Sequence, residues 1–311
     1  MEWLRSIILP LQGSEYAGEV DTFYMFLVWF SLFFFVLVAA IAVYSVIKFR
    51  HKPGDVTPNW THNNLLETVW TVIPLLLLLV IFFWGLKGYM KAEVAPGDAT
   101  EIQVTAKKWV WQFEYPDGNR AINEVHVVVN KPVKFILSSE DVLHDFFVPD
   151  MRVKHDIIPD RYVQVWFTPT VPGKHHIECA EYCGRGHSDM AATLYVDDEA
   201  AYEKWLETGG VDPNMPLDKL GAMLYQSKGC SSCHSLDGSV GQGPSWKGVF
   251  GHNVQLENGQ TVLADENYIH ESILVPGAKV VKGFDNIMPV FQGVLRDREV
   301  NALVAYIKTL K

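Results

Sequence analysis

Two long runs of uncharged, mostly apolar residues lie near the start of the chain and limit what it can fold into. The first run covers residues 23–47 and the second covers residues 68–86. A helix needs about 20 residues to cross the hydrocarbon core of a bilayer. The sequence therefore predicts two membrane-spanning helices, at about 23–47 and 68–90, within an N-terminal region that covers residues 1–97.

Basic residues in the connection between the two runs give the predicted orientation. Lys48, Arg50 and Lys52 follow the first run at once, and such clusters mark the cytoplasmic side of a membrane. The N-terminus and everything after about residue 90 would then lie on the periplasmic side of a bacterial inner membrane. We expect a protein with two spans whose larger part is outside the cytoplasm.

Beyond the second run, short alternating segments separated by turn residues replace the apolar pattern. These segments are 102–106, 109–113, 125–129, 133–137, 162–167, 175–179 and 191–196. Short strands with regular turns predict a Greek-key β-sandwich over residues 98–208. The parity of the apolar positions changes between Ala106 and Trp109, which predicts a bulge or a strand break there.

A linker rich in glycine and proline, residues 209–216, separates the sandwich from a helical region at 217–311. The apolar periodicity predicts a first helix over 217–227 and a last helix that is capped by Asp297. Asn258-Gly259 stands between two β-branched segments and predicts a small hairpin within this region. The chain is thus expected to be a multi-domain membrane protein.

The segment Cys179–Met190 concentrates soft metal ligands: two cysteines, one histidine and one methionine. Thiolate, imidazole and thioether together favour copper or a similarly soft metal. A disulfide within this segment would leave His187 and Met190 without a role. The segment needs another donor from a distant strand end, and His144 is the preferred candidate. The other candidates are His126, His155, His175 and His176.

A second cysteine pair belongs to the segment Cys230–His234, which reads CSSCH. This is the attachment sequence of a c-type haem, in which two thiols bond the vinyl groups and the histidine ligates the iron. Met288 is the only methionine after the motif, so we predict that it is the second axial ligand. His252 and His270 are the competing candidates.

Glu67 stands directly before the second apolar run and has two explanations. A carboxylate in the first turn of a helix is favoured by the helix dipole. An acid at the edge of a membrane span is also suited to a proton entrance. The residues alone leave both explanations open.

The metal-ligand segment and its surroundings resemble the binuclear copper centre, CuA, of cytochrome c oxidase subunit II. The resemblance covers residues 20–207. Its motifs are Glu67-Thr-Val-Trp, Trp109-Val-Trp111, Ser138-Ser-Glu-Asp-Val-Leu-His144 and Lys154-His-Asp-Ile-Ile-Pro159. Residues 218–311 resemble a class I cytochrome c, with Gly221 and Tyr306 at its close helix crossing. The order of the domains is similar to that of the caa3-type oxidases.

This resemblance implies a cupredoxin-like sandwich, an all-α cytochrome domain and a set of ligands. The implied CuA ligands are the bridging thiolates of Cys179 and Cys183, with His144 and Met190 on one copper and His187 and the Glu181 carbonyl on the other. The Glu181 carboxylate is implied to help bind magnesium at the contact with subunit I. The implied haem c ligands are Cys230, Cys233, His234 and Met288.

The resemblance also gives roles to residues outside the two cofactor sites. Trp109 and Trp111 would be the point of electron entry, although two tryptophans that pack against a strand would give the same pattern. Glu67 would lie at a proton entrance. The sequence departs from the family at Val110, where relatives often carry an aromatic residue, and at Asp160, where glycine is usual.

The implied function is electron transfer in a respiratory oxidase. Electrons would pass from an external donor through haem c and CuA to haem a of subunit I, where haem a3 and copper B reduce oxygen to water with proton translocation. Expected partners are subunits I and III, the lipid membrane and a donor such as a quinol-oxidising complex or cytochrome c. The formal net charge of -10 argues against nucleic acid.

Two alternatives stay open at this point. A copper and haem c subunit of a nitric oxide reductase would carry the same cofactors for another reaction. A structural subunit of a quinol oxidase would have the same fold, but such proteins lack the copper ligands, which are all present in this chain.

Overall fold

A computed structural model describes residues 2–51, 53–54 and 62–311. Lys52, one of the three basic residues that predict the orientation, lies outside the described residues. The described chain divides into two compact units. One contains the residues up to Leu11 and Tyr16–Val94, and the other contains Gln12–Glu15 and Ala95–Lys311.

The first unit consists of helices. These are α1 (Glu2–Ile8), α2 (Ala17–Lys48) and α3 (Asn64–Glu93). Both α2 and α3 are long and apolar enough to cross a membrane, and the most apolar window of each contains no buried residue. Helices that are apolar all round are typical of membrane spans. The predicted spans at about 23–47 and 68–90 lie inside α2 and α3.

A reciprocal cap begins α3. The side chain of Asn63 accepts a hydrogen bond from the backbone N–H of Leu66 at 3.0 Å, while the backbone N–H of Asn63 donates to Oε1 of Glu67 at 3.3 Å. This pattern satisfies two backbone donors at the start of the helix. It supports the helix-terminus explanation of Glu67, and the proton entrance stays a prediction.

The sandwich consists of two five-stranded sheets. Its strands are β1 (Thr100–Lys107), β2 (Val110–Glu114), β3 (Arg120–Ile122), β4 (Glu124–Val128), β5 (Val133–Ser139), β6 (His144–Val148), β7 (Val153–Ile157), β8 (Val163–Phe167), β9 (Gly173–Cys179) and β10 (Ala191–Asp197). One sheet has the order β3-β2-β1-β5-β8 and the other has the order β4-β10-β9-β6-β7. The pairs β1 with β5 and β4 with β10 are parallel, and the other neighbours are antiparallel.

Alternation of buried and less buried residues places the core between the sheets. The largest fully buried side chains include Trp111, Phe135 and Phe146. The predicted break between Ala106 and Trp109 is a tight turn, because Lys107 at the end of β1 pairs with Val110 at the start of β2. The turn places Trp109 at one end of the sandwich.

The C-terminal region is mainly helical, with one small hairpin. Its elements are α4 (Glu199–Thr208), α5 (Leu217–Ser227), β11 (Asn253–Gln255), β12 (Thr261–Leu263), α6 (Glu266–Leu274) and α7 (Asp297–Thr309). Helices α5 and α7 cross closely at Gly221, where a Cβ atom would lie 2.1 Å from the carbonyl oxygen of Ala302. The predicted first helix, the hairpin and the close crossing are all observed.

The predicted cap of the last helix is wrong. Asp297 is the first helical residue of α7, and the capping position belongs to Arg296. The carboxylate that satisfies the helix start is that of Glu299, which accepts from the backbone N–H of Arg296 at 2.9 Å. The acidic residue three positions after the cap reaches back, as in a capping box.

The segment 209–216 contacts the helical region. Gly209 ends α4 with a left-handed φ of 67°, and Val211 and Met215 pack against the apolar core of the helical region. The guanidinium of Arg298 donates to the carbonyl of Met215 at 2.6 Å. The boundaries 1–97, 98–208, 209–216 and 217–311 remain predictions.

Candidate metal centre and haem cavity

Three donors from separate parts of the sandwich meet at one end of it. His144 is the first residue of β6, and Cys179 is the last residue of the adjacent strand β9. Cys183 follows in the loop after β9. The ligand atoms of these three buried residues all lie within 4.8 Å of one another. The pairing of β6 with β9 therefore joins the loop cysteines to the distant histidine.

The remaining loop donors surround the sulfur pair. The Sγ atoms of Cys179 and Cys183 are 3.7 Å apart. Sγ of Cys179 lies 3.8 Å from Nδ1 of His144 and 3.2 Å from the carbonyl oxygen of Glu181. Sγ of Cys183 lies 3.6 Å from Nδ1 of His187 and 3.8 Å from Sδ of Met190. All six predicted donors are thus in one cluster.

These separations fit metal coordination. Around a four-coordinate metal with bonds of about 2.0 to 2.3 Å, neighbouring N and S ligand atoms lie about 3.5 to 3.8 Å apart. Two sulfurs flanked by different histidines can be shared by two soft metal ions, and each ion then has four donors. The donor set, which combines sulfur and imidazole nitrogen, is suited to copper.

Protonation of the donors follows from their burial. Burial and the neighbouring Cys179 raise the pKa of the Cys183 thiol to about 12. Burial lowers the pKa of His144, and the nearby carboxylate of Asp141 only partly opposes this. The imidazole is therefore neutral and ready to ligate, while the thiol must release its proton when a metal binds.

The alternative histidines lie elsewhere in the sandwich. Nδ1 of His126 is 2.6 Å from Asp197, and Nδ1 of His175 is 2.7 Å from Asp150. His155 contacts the carbonyl of Asp156 at 2.9 Å. His176 lies on the exposed side of β9. Of the five histidines considered for the distant donor, His144 is the one that groups with the cysteine pair in a candidate metal cluster.

Both predicted tryptophans contact the metal-ligand cluster. The Trp111 ring lies edge-on to the ring of His144, with 6.3 Å between the centroids. Trp109 packs against the ligand loop so closely that a Cβ atom on Gly186 would lie 2.5 Å from its ring. Trp111 is fully buried and Trp109 is 7% exposed. Each tryptophan also packs in the core, so packing and electron entry are compatible.

The helical region contains a large apolar cavity of about 1410 Å³, including its open mouth. Cys230, Cys233, His234 and Met288 all line it. Its walls also include Trp246, Phe291 and Leu303. The predicted haem ligands therefore share one apolar cavity, and neither His252 nor His270 is among the described residues that line it.

Hydrogen bonding orients His234 for iron ligation. Nδ1 of His234 donates to the carbonyl of Pro244 at 2.7 Å, which leaves the lone pair on Nε2. Gly243 lies against the ring, since a Cβ atom there would come within 2.6 Å of it. Burial lowers the pKa of His234. The residues present thus fit a covalently attached haem with a neutral imidazole ligand.

The sandwich and the helical region share an interface beside this cavity. Trp109 and Val110 line the cavity together with Cys230 and Cys233. Val110 and Ile122 belong to the apolar core of the helical region. The Val110 side chain therefore packs against the cavity region.

Polar contacts flank this apolar interface. Nζ of Lys228 lies 2.7 Å from Oε1 of Glu124, and the two side chains are only 7% and 18% exposed. Next to this pair, a Cβ atom on Gly229 would lie 2.6 Å from the side-chain nitrogen of Asn123. Asn123 in turn accepts from the backbone N–H of Trp111 at 2.9 Å.

Sequence reasoning missed four residues at these sites. Asp141 contacts the His144 ring at 2.9 Å, and its position three residues before that histidine was the available signal. Asn123 and the pair of Lys228 with Glu124 carry no sequence signal, because their partners lie in other strands or in the other domain.

Comparisons with known protein families agree with this architecture. Residues 5–87 match the transmembrane domain of cytochrome c oxidase subunit II, and residues 120–196 match its periplasmic domain. Residues 219–311 match the cytochrome c family. The three matches follow the order of the two apolar helices, the sandwich and the helical region with its cavity.

Individual relatives extend the similarity along most of the chain. The cytochrome c oxidase subunit 2 of Alkalihalophilus pseudofirmus is 32% identical over 89% of this chain and 82% of that protein. The alternative cytochrome c oxidase subunit 2 of Bradyrhizobium diazoefficiens is 30% identical over 61% of this chain and 80% of that protein. The solved periplasmic domain of a Bradyrhizobium japonicum subunit II is 30% identical, covers 37% of this chain and 96% of that chain, and has a TM-score of 0.36.

The two candidate membrane helices, the cupredoxin-like sandwich and the cytochrome c domain define an electron-transfer subunit of a haem-copper oxidase. Copper in a CuA centre and haem c are the cofactors that these domains imply. More particularly, the chain belongs to the cytochrome c oxidase subunit II family and carries a fused C-terminal cytochrome c domain.

Proposed function

We propose that this chain receives electrons at its haem domain and delivers them through its copper centre to subunit I. The proposed copper ligands are His144, Cys179, Glu181 through its carbonyl, Cys183, His187 and Met190. The proposed haem ligands are Cys230, Cys233, His234 and Met288. When bound, these groups accept and release single electrons.

One observation supports the proposed route of electron transfer within the chain. The Trp109 ring lines the haem cavity and also packs against Gly186 in the metal-ligand loop. A single aromatic side chain thus spans from one candidate site to the other. Trp111 supports the same route, because it packs against the ring of His144. We assign both tryptophans to electron entry into the copper centre.

The setting of this transfer is a further part of the proposal. We place the sandwich and the haem domain on the periplasmic side of a bacterial inner membrane, with subunits I and III as partners. Subunit I would reduce oxygen at haem a3 and copper B after electrons reach haem a, with proton translocation. The external donor would be a cytochrome c or a quinol-oxidising complex.

Two residues have proposed roles that rest on the family resemblance. The Glu181 carboxylate would help bind magnesium at the contact with subunit I, since carboxylate oxygen is a suitable magnesium ligand. Glu67 would lie at a proton entrance on the cytoplasmic side. Its bond to the start of α3 is compatible with this, because the carboxylate sits at the end of a membrane helix.

The copper assignment is tested by Cys183→Ser in the purified oxidase. We expect the near-infrared absorbance of the copper centre to disappear, because Cys183 is within reach of both Cys179 and two further donors. The haem c spectrum should stay intact, since its ligands lie in the other domain. An unchanged near-infrared band would contradict the assignment.

The haem assignment is tested by Met288→Ala, with His270→Ala as the matched control. Loss of the thioether ligand should abolish the sulfur-to-iron band and lower the haem potential, since His/Met ligation raises it. The control should leave both unchanged. If Met288→Ala had no effect on either observable, another residue would be the ligand.

A further inference from the structure

The carboxylate of Asp141 lies between the metal-ligand cluster and the turn that carries Trp109. Its Oδ1 is 2.9 Å from Nε2 of His144, and its Oδ2 accepts from the backbone N–H of Lys108 at 2.9 Å. Oδ1 also accepts from the backbone N–H of Val142 at 2.7 Å. One side chain therefore holds a copper-ligand candidate and the residue directly before Trp109.

The contact with Asp141 decides which nitrogen of His144 is free. An ionised carboxylate only accepts hydrogen bonds, so Nε2 of the ring must carry the proton. The lone pair is then on Nδ1, the atom that lies 3.8 Å from Sγ of Cys179. The orientation that places Nδ1 at the cluster is thus fixed from the opposite side of the ring.

The contact between Asp141 and His144 is largely shielded from water. The His144 side chain is fully buried and that of Asp141 is 24% exposed. A carboxylate that accepts from the distal nitrogen of a metal-bound histidine fixes the ring and makes it a stronger ligand.

We propose that Asp141 is a positioning residue that couples the copper ligand His144 to the electron-entry turn at Trp109. The proposal rests on the proposed copper assignment. Asp141 itself need not touch the metal. It would set the tautomer and orientation of His144 with one oxygen and the position of the Lys108–Trp109 turn with the other.

A purely local role for Asp141 is the competing explanation. The loop 139–142 is closed by its own hydrogen bonds: the Ser139 hydroxyl donates to the carbonyl of Val142 at 2.5 Å and accepts from the N–H of Asp141 at 3.3 Å. If Asp141 only stabilised this loop, removing the Ser139 hydroxyl would have the same effect as removing the carboxylate.

The test compares variants in the whole purified oxidase. Asp141→Asn keeps the size of the side chain, but its amide can present only one acceptor oxygen to the three donors. We expect copper affinity to fall about 10- to 100-fold, as for other partners of metal ligands. The copper potential should rise because a negative charge is lost, and the near-infrared band should shift. The haem c spectrum should not change.

Matched controls separate this role from loop stability. Glu140→Gln alters the neighbouring carboxylate, which pairs with Lys107 on the surface, and should leave the copper observables unchanged. Ser139→Ala loosens the loop without touching His144 and should also leave them unchanged. Wild-type copper affinity, potential and spectrum in Asp141→Asn would overturn the proposal, as would a Ser139→Ala variant that reproduces its effects.

Two further readouts keep the outcome unambiguous. If Asp141→Asn does not accumulate, Asp141→Glu retains the charge but moves it by one methylene. A shift of the copper potential and of the near-infrared band from their wild-type values is then expected, and wild-type values would overturn the proposal. Absence of copper from the unmodified protein would instead contradict the proposed function, so the two failures can be told apart.

Discussion

Lys228 of the haem domain and Glu124 of the copper domain form an ion pair with an N–O distance of 2.7 Å. The pair is largely buried, although it joins residues 104 positions apart in the chain. Lys228 stands two residues before Cys230, a proposed haem-attachment cysteine. The contact therefore fixes the attachment segment against the copper domain, beside the apolar contacts of Val110 and Ile122.

Removing one partner of this pair should weaken the contact between the domains more than removing both. A single substitution, Lys228→Met or Glu124→Leu, leaves a buried charge without its partner, which costs about 3 to 5 kcal/mol. The double variant removes both charges and should recover most of that loss. The denaturant midpoint of haem-domain unfolding, followed by Soret absorbance, measures the coupling. If the effects of the two single substitutions simply added in the double variant, Lys228 and Glu124 would not be coupled.

Close packing between Trp109 and Gly186 gives a second prediction. Gly186→Ala would place a methyl group 2.5 Å from the Trp109 ring, so either the ring or the ligand loop must move. Such overpacking costs about 1 to 3 kcal/mol. We expect slower electron transfer from haem to copper after flash reduction and a shifted near-infrared band. Gly97→Ala is the control, because nothing lies within 4 Å of a Cβ atom there.

Much of the fold could be predicted from local patterns. The helix Leu217–Ser227 was predicted with its observed bounds, because its apolar periodicity is strong. The hairpin at Asn258-Gly259 follows from turn chemistry that only a few residue types satisfy. The cap at Asp297 was placed one residue late, because an aspartate is favourable both at the capping position and in the first turn of a helix, and Asp297 is the first helical residue.

The site was less accessible to sequence reasoning. Five histidines could have completed the metal cluster. His144 was preferred for its place near a strand end, and the family resemblance favoured it as well, but the spacing along the chain left the other four open. The structure gives the physical reason: His126 and His175 are paired with carboxylates elsewhere. Contacts between domains, such as that of Lys228 with Glu124, depend on how two folded surfaces meet. No periodicity or spacing along one chain encodes them.

The helix crossing of the haem domain gives a third prediction. A methyl group on residue 221 would lie 2.1 Å from the Ala302 carbonyl oxygen and 2.6 Å from Cβ of Tyr306. Backbone cannot move aside as a flexible side chain can, so Gly221→Ala must separate α5 from α7. We expect the free energy of unfolding of this domain to fall by about 1 to 3 kcal/mol.

Urea unfolding followed by Soret absorbance measures this loss. Gln226→Ala, on the exposed side of the same helix, is the matched control and should cost less than about 0.5 kcal/mol. Equal midpoints for Gly221→Ala and Gln226→Ala would show that α5 and α7 do not cross closely at this residue.

The His126 side chain gives a prediction about pH. Its ring stacks between Tyr195 and Trp205, with centroid distances of 4.3 and 4.2 Å, and bonds to Asp197 at 2.6 Å. Burial lowers the pKa of His126, and the attraction of Asp197 and Glu124 does not restore it. The folded copper domain therefore binds a proton at this ring less readily than the unfolded chain does.

Stability of the copper domain should consequently fall as the pH decreases through the unfolded pKa of histidine, about 6.5. Between the folded pKa and the higher unfolded pKa, the unfolded state binds more protons than the folded state, so the free energy of unfolding rises with pH in this window. Above the unfolded pKa, the contribution of His126 to stability is fully present. His126→Gln should flatten the slope in this window, and His176→Gln, an exposed residue on β9, should not. Denaturant midpoints measured from pH 5 to pH 8 test this prediction. If the stability of His126→Gln depended on pH as steeply as that of the unmodified protein, His126 would not be the group responsible.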